Sequence, residues 1–552
     1  MKIFVSIVLG ITALALGGCL MTSPERPYTR PVDLSVPPAA IQTSTLGPED
    51  HFAADPWRSA LAGHSFQAQD KRQVPPFPPE GILKLTVEQA VLSALGRNRS
   101  LAVEQFNPVI SGTFVETERA VFDPVVFAQG RIENDRNRFL GENTNRFFSI
   151  DGSGSFVRTG IVRRFPTGTD VSLDLALTGR DSDILPYSDE ARAGLNLTQA
   201  LLRDAGVAVN LAGIRQAEAA ALASAYDLRG FAENLVAVVE NAYWQYALAV
   251  RQVEIFQESL ELAERQLNDI RTRIELGQLA ETEETVADAE LALRRQQLID
   301  AYSAREQARL NLLRLVNPPS AEGWDKQITL SEDTVVPEVS LGSALEHEAL
   351  AIKLRPDLNE ARLQARRGEL ETVQTVNGLL PRLDLFINLG KTGYARSFGK
   401  SLSDLDGPGY DLAVGLDVEL PVGNRAADAL DRRVRASYRQ ALQSVENLKQ
   451  LVSLDVRNAL LEVDRSLQQI NASASRRILQ EEVLRAETVR FGVGTTTALD
   501  VARIQRDLLE SRINEIGAIV NYRQALINLY LLDGTLLLRR GIQGPGAEEV
   551  VL

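Results

Sequence analysis

Val171-Ser172-Leu173-Asp174-Leu175-Ala176-Leu177-Thr178 sets an aliphatic residue at every second position and a small or polar one between. A period of two is that of a β-strand, whose successive side chains point to opposite faces. The stretch from Leu412 to Leu420 repeats the pattern, with Leu412, Val414, Leu416, Val418 and Leu420 opposite Ala413, Gly415, Asp417 and Glu419. Leu383, Leu385, Ile387 and Leu389 stand likewise against Asp384 and Asn388. Strands of about 9–11 residues with one apolar and one polar face suit a bilayer-spanning barrel. Val171, Leu173, Leu175, Leu177, Leu412, Val414, Leu416 and Val418 would then face lipid, and the polar face a wet lumen. The same alternation suits a soluble sheet that covers a core, and the pattern alone does not separate the two.

Each alternating region follows a helix stop, Phe122-Asp123-Pro124 in one case and Leu379-Leu380-Pro381 in the other. Proline lacks an N–H and disfavours helix in the residue before it. After the first strand region, residues 207–276 contain no proline. In that stretch Leu235, Val239, Ala242, Tyr246, Ala249, Val253, Phe256, Leu260, Ala263, Leu267, Ile270 and Ile274 recur at alternating steps of three and four. This is a coiled-coil seam, and 70 residues at ~1.5 Å each run about 105 Å. Residues 426–491 keep the period more weakly through Val456, Leu460, Val463, Leu467, Ile470 and Ala474. Gly277 and Gly494 can cap these helices in a left-handed conformation, and second helices return over 281–315 and 498–532. Helices this long exceed what a domain core requires and read as struts or the wall of a conduit.

The order of signals occurs twice. Leu101 and Leu358, like Pro124 and Pro381, stand 257 residues apart. Arg273 and Arg490, Gly277 and Gly494, Ala308 and Ala525, Asn311 and Asn528, and Leu312 and Leu529 stand 217 apart. The first copy therefore holds 40 more residues between its proline and its glycine, as an external loop or an elaborated hairpin. The divisions are 1–18, 19–82 (linker), 83–319 (first copy), 320–340 (connector), 341–534 (second copy) and 535–552, a short tail expected to be disordered past Gly541.

Met1 and Lys2 precede an uncharged, mainly apolar run from Ile3 to Leu16, the layout of a secretory signal peptide. It ends in Leu16-Gly17-Gly18-Cys19, which resembles a bacterial lipobox with Cys19 as the acylated residue; an ordinary signal with an incidental cysteine is the alternative. Leu20 in place of Asp resembles sorting to the outer membrane. Pro37-Pro38, Pro75-Pro76 and Pro78-Pro79 mark an extended linker. Cys19 is the sole cysteine, so once it is acylated no thiol remains for a disulfide, a zinc-thiolate site or a nucleophile. The formal net charge of −14, or −15 after loss of residues 1–18 with Lys2, argues against a nucleic-acid partner. No later stretch approaches 18 uninterrupted apolar residues, so membrane spans would have to be strands of a closed barrel.

Enzymatic chemistry finds little support. His51, His64 and His347 are the only histidines, and none has a metal-ligand neighbour at useful spacing. Gly152-x-Gly154 lacks the strand–helix context of a phosphate loop. Glu283-Glu284 and Glu481-Glu482 read as solvated helix charges. Met21 is the one methionine left after processing, which argues against a Met-lined copper or silver path. No catalytic residue, metal site or cofactor is expected beyond the lipid on Cys19.

Over residues 85–534 the chain resembles the TolC family of outer-membrane channels. Leu85-Thr86-Val87-Glu88-Gln89-Ala90 is similar to the family's opening "L-T-x-x-x-A", and Arg355-Pro356-Asp357-Leu358 matches its "RPDL". Leu197-Thr198-Gln199-Ala200-Leu201-Leu202 resembles "LTQPL", with Ala200 in place of proline, whereas Leu420-Pro421-Val422 keeps that proline. Arg490-x-x-x-Gly494 followed by Thr495 to Asp500 resembles the family's periplasmic tip turn. The resemblance implies an α+β membrane protein. Four strands per protomer close a twelve-stranded transmembrane β-barrel in a homotrimer, and long antiparallel helices form an α-barrel across the periplasm. It implies a passive conduit for small molecules or proteins, joined to a periplasmic adaptor and an inner-membrane pump. The tips at Gly277, Gln278, Leu279 and at Val493, Gly494, Thr495 become adaptor contacts. Asp500 aligns with an acidic gate position, although a helix-start carboxylate held by the dipole is an equal reading. Arg503 stands where the family has a second acid. Phe491 and Thr496 replace a tyrosine and an arginine that help lock the gate. A lipid-anchored helical scaffold without a pore is the alternative; it has no use for alternating strands at matching points of two copies.

Overall fold

The computed structural model describes residues 67–68, 82–140, 147–182, 188–318, 321–332, 336–337 and 339–551. Cys19, the leader and most of the linker lie outside the described residues. The chain divides into two units. One is built from Gly112–Ala219 and Arg366–Gln440; the other takes in Ala220–Ala365, the chain from Ala441 onward and the described residues before Gly112.

The first unit is an antiparallel sheet of six strands. They are β1 (Val125–Leu140), β2 (Phe147–Phe165), β3 (Thr169–Ser182), β4 (Ser188–Ala200), β5 (Arg382–Ala395) and β6 (Tyr410–Glu419), each paired with its neighbour in sequence order. The four strands expected per chain are thus corrected to six. The 40 extra residues make two further strands rather than a loop. β1 and β2 hide from a hydrophobic count because Arg136 of β1 and Asp151 of β2 stand in the apolar row, while Arg131, Glu133 and Asp135 of β1 fill the polar one. These charges find partners within the sheet: Arg136 pairs with Asp151 across the ladder at 2.5 Å and Arg131 with Glu133 at 2.7 Å. A tight turn at Pro166-Thr167-Gly168 joins β2 to β3. Gly168 takes φ +83°, which favours glycine, and its carbonyl accepts from Ala200 N at 3.0 Å.

Helices supply the rest: α1 (Val87–Arg97), α2 (Arg99–Glu104), α3 (Phe106–Arg119), α4 (Ala212–Glu275), α5 (Thr282–Val316), α6 (Ala344–Leu354), α7 (Pro356–Gly378), α8 (Arg425–Gly492) and α9 (Ala498–Leu532). Among the described residues none is long and apolar enough to cross a membrane. α4 has 64 residues and α8 has 68, about 96 and 102 Å at 1.5 Å per residue. The seam read from the sequence is the buried face of α4: Val239, Tyr246, Val253, Leu267 and Ile270 are buried. In α8 the seam is weaker, with Val456 and Val463 fully buried but Leu467 exposed.

The two halves repeat local geometry at the spacing seen in the sequence. Thr86 with Gln89 and Ser343 with Glu346 form capping boxes 257 residues apart. Asn317 and Gly534, 217 apart, both adopt positive φ just past α5 and α9. The second unit's core joins α1, α4, α5 and α9 through side chains such as Ala90, Val236, Leu312 and Leu529. Short strands Leu83–Leu85 and Ile328–Leu330 pair in parallel beside it. Tyr243 Oη donates to Leu85 O at 3.1 Å and Tyr246 Oη to Ile328 O at 2.9 Å, so buried phenols satisfy the ends of the small sheet.

The C-terminal tail, expected to be disordered, is docked. Leu536 and Leu537 are fully buried, and Ile542–Gln543 pairs with Gln67–Ala68. Tyr226 Oη donates to Glu548 O, and Val550 N donates to Asn359 Oδ1 at 3.1 Å. The anchors sit on α4 and α7, far away in sequence, so local composition does not reveal them.

Buried charges of this unit are paired. Arg229 and Glu233 meet at 2.9 Å, and Glu240 accepts from Arg540 Nε and Nη2 at 2.5 and 2.6 Å. Burial outweighs the attraction of Arg229 and pushes the Glu233 carboxyl up to about 7. Burial, then a hydrogen bond with Asp227, does the same for Glu360, also to about 7. An acid whose pKa is raised in the fold contributes stability fully below its unfolded value near 4.5, and that contribution is lost as pH rises through about 7. Glu233→Gln, a neutral isostere that keeps an acceptor for Arg229, is therefore expected to shrink the difference in thermal midpoint between pH 5 and pH 8. The wild-type difference from this group is at most about 3 kcal/mol. An undiminished difference in the variant would contradict the assignment.

Candidate functional site

The two faces of the sheet differ along its whole width. One transverse row reads Val126, Ile161, Leu173, Leu195, Leu389, Leu412, one aliphatic residue from each strand. On the same face Val171 pairs with Leu197, Leu175 lies between Thr159 and Ala193, and Leu177 lies between Val157 and Ala191. Val414, Leu416 and Val418 pair with Ile387, Leu385 and Leu383. All eight residues named from the sequence therefore share one face, and Val418 at its edge is 66% exposed. Three cations on this face are partnered: Arg163 Nε donates to Phe122 O at 3.3 Å, Lys391 Nζ to Gly407 O at 2.6 Å, and Arg136 pairs with Asp151 at 2.5 Å.

The adjacent row on the other face reads Phe127, Gly160, Asp174, Gly194, Gly390, Asp411. Its glycines leave room for charged side chains to lie over the sheet. A Cβ on Gly194 would sit 2.8 Å from Arg192 Nη1 and 3.3 Å from Asp174 Oδ1. Asp174 accepts from Arg158 Nε at 3.1 Å and Asn196 Nδ2 at 2.9 Å; Asp411 accepts from Arg192 Nη2 at 2.7 Å. The rings of Phe127 and Phe386 lie against Gly160 and Gly415, covering backbone those glycines leave bare. This face is polar, small and internally paired, a surface suited to water.

In the second unit both long helices end alike. Gly277 and Gly494 take φ +71° and +74°. Gly277 N donates to Ile274 O and Gln278 N to Arg273 O, both at 2.8 Å; Gly494 N donates to Phe491 O at 3.1 Å and Thr495 N to Arg490 O at 3.0 Å. Both are Schellman caps, closing the last carbonyls of α4 and α8. Leu276, Gln278, Val493 and Thr495 are exposed around them, and Leu279 is half-buried.

The two turns are joined. Ile270, Phe491, Ala498 and Val501 form a small core, with Ile274 and Leu279 packed on it. Glu283 Oε2 accepts from Ala498 N at 3.1 Å, so an acid at the start of α5 caps α9. That contact was not legible from the sequence, which read Glu283 as a solvated charge. Arg273 lies 5.5 Å over the Phe491 ring. Phe491, named from the sequence as a gate residue, is thus buried between the turns. Ion pairs brace the helices behind them: Arg477 with Glu515 at 2.5 Å, Arg512 with Glu481 at 3.2 Å, and Arg271 with Glu284 at 2.8 Å.

Asp500 is the N3 residue of a capping box. Its Oδ2 accepts from Thr497 Oγ1 at 2.7 Å and Thr496 Oγ1 at 3.2 Å, and its amide donates to Thr497 Oγ1 at 3.3 Å. These bonds, Thr497's first, and the nearby Arg503 cation hold the carboxyl below its ordinary range, so it stays ionised. Arg503 itself is exposed one turn on. Thr497→Ala should remove about 1 kcal/mol of helix-start stability and raise hydrogen exchange of the first α9 amides roughly fivefold; unchanged exchange would count against the box.

The model of the family described as outer membrane efflux protein matches residues 170–317 and 349–535, more than half of the chain. The outer membrane protein TolC of Vibrio cholerae is 24% identical over 375 residues, 65% of this chain and 78% of that protein. Among solved structures, the CmeC outer membrane channel of Campylobacter jejuni is similar at TM-score 0.61 and 13% identity, covering 86% of this chain and 92% of that one. The MtrE outer membrane channel of Neisseria gonorrhoeae, in its open state, is similar at TM-score 0.58 and 18% identity, covering 86% and 96%. The match to four of the six strands and all four long helices carries the assignment: the chain belongs to the outer membrane efflux protein family.

Proposed function

We propose that three copies of this chain close into a passive conduit through the outer membrane, the exit duct of a tripartite export system. As a member of the outer membrane efflux protein family the chain is an outer-membrane channel subunit. The observation that carries the fuller reading is the two-faced sheet: a row of six aliphatic side chains back to back with a row of glycine, aspartate and phenylalanine. Apolar side chains meet lipid and the paired polar face meets water. α4, α5, α8 and α9 form the periplasmic wall. The turns at Gly277, Gln278, Leu279 and at Val493, Gly494, Thr495 receive a periplasmic adaptor, which links the duct to an inner-membrane pump. Gating acts at the same end, where Asp500 and Arg503 set the charge beside the buried Phe491 and the Thr496 hydroxyl. Acyl chains on Cys19 tether the assembly to the outer membrane. Nothing is transformed in transit.

The topology is testable with single cysteines, since Cys19 is the sole native one. Ser397→Cys, in the β5–β6 connection, should react with a membrane-impermeant maleimide on intact cells. Gln278→Cys should react only after the outer membrane is permeabilised. The reverse pattern, or equal labelling of both, would contradict the orientation.

A further inference from the structure

We infer that the β1–β2 hairpin is part of the membrane wall, and that its free edge β1 takes strand β6 of a neighbouring copy of this chain. Each copy then supplies six strands and a ring of three holds eighteen. The copy number rests on the proposed function; the six strands and the two edges do not. Among the described residues β1 pairs in the sheet with β2 and β6 with β5, so each forms an edge of the ladder. Both edge strands carry the apolar face: Val126 on β1 is 74% exposed, Leu412 on β6 59%. In hydrocarbon an unpaired backbone group costs several kcal/mol, so neither edge can remain open there. Six strands fall short of the eight found in the smallest transmembrane barrels, so one copy does not make a membrane wall alone.

A second copy fits. β1 runs away from the helices that flank the sheet, and β6 runs back towards them, so β6 beside the next β1 continues the antiparallel alternation without a break. The added pair is not an appendage on the polar side. Val126, Ile161 and Val157 continue the apolar rows of β3, while Phe127 and Arg158 continue the polar ones, with Arg158 bonded to Asp174 of β3. The pair lies before residue 170, where the match to the family model begins, and the other four strands lie inside that match. Barrel diameter grows about linearly with strand number, so eighteen strands give roughly 1.5 times the bore of twelve.

The test is cryo-electron microscopy of the full-length assembly in lipid nanodiscs, with copy number measured by native mass. It is paired with disulfide trapping of Val126→Cys or Ala128→Cys combined with Val414→Cys or Leu416→Cys. Three copies, eighteen strands and covalent trimers from one β1–β6 register are expected. Three copies with twelve wall strands, and trapping of Val414→Cys by Val171→Cys instead, would overturn the inference while leaving the trimeric conduit intact. Two copies would overturn the eighteen-strand ring together with the trimer, and single copies would overturn the conduit itself.

Discussion

Leu175→Arg is expected to remove nearly all of the assembled protein from the outer membrane. Leu175 sits mid-strand on β3, between Thr159 and Ala193 on the apolar face. A guanidinium there faces lipid at a cost of ~2–4 kcal/mol near the midplane. Each copy carries the defect, so the proposed ring of three would incur it three times over. Ala413→Arg adds the same charge to the opposite face, in the row of Val125, Ser172 and Asn196, where water solvates it, and should assemble normally. The readout is the heat-resistant oligomer in outer-membrane fractions. Equal assembly of both variants, or failure of Ala413→Arg alone, would mean that the faces are assigned the wrong way round or that neither meets lipid.

Gly494→Pro is expected to leave the oligomer intact and abolish transport. Gly494 takes φ +74° and donates its N–H to Phe491 O. Proline fixes φ near −65° and has no N–H, so both requirements fail, at ~3 kcal/mol or more. The damage falls on the turn and on the small core of Ile270, Phe491 and Ala498 that holds the two turns together. The core around Leu312 and Leu529 is a separate cluster that shares no side chain with it, which is why assembly should survive. Unaltered efflux by this variant would remove the docking and gating roles from the tips.

Legibility followed how local each determinant is. α9 spans Ala498–Leu532, the residues expected, because its limits are set by its own cap at Thr497 and by the end of its periodic pattern. α4 begins at Ala212 rather than 207, since Val207–Asn210 makes a separate short turn after Gly206 at φ +94°. The strand pattern was legible where aliphatic residues alternate without interruption, as in β3, β5 and β6. It failed for β1 and β2, whose charges acquire partners only once the strands are in register, as with Arg136 and Asp151. The tail and the burial of Phe491 were hidden for the same reason. Each depends on side chains hundreds of residues away, Tyr226 and Asn359 for the tail, Ile270 for the ring. For Asp500 the helix-start reading is visible in the geometry: a capping-box carboxylate that stays ionised beside Arg503.

Single-channel conductance of the purified protein in a planar bilayer, with its mass taken under native conditions, tests the conduit most directly. The account predicts a trimer with a small, cation-biased conductance, limited by the helical tips rather than by the wide strand wall. A folded single chain that passes no current would contradict it and make the two-faced sheet the cover of a soluble core.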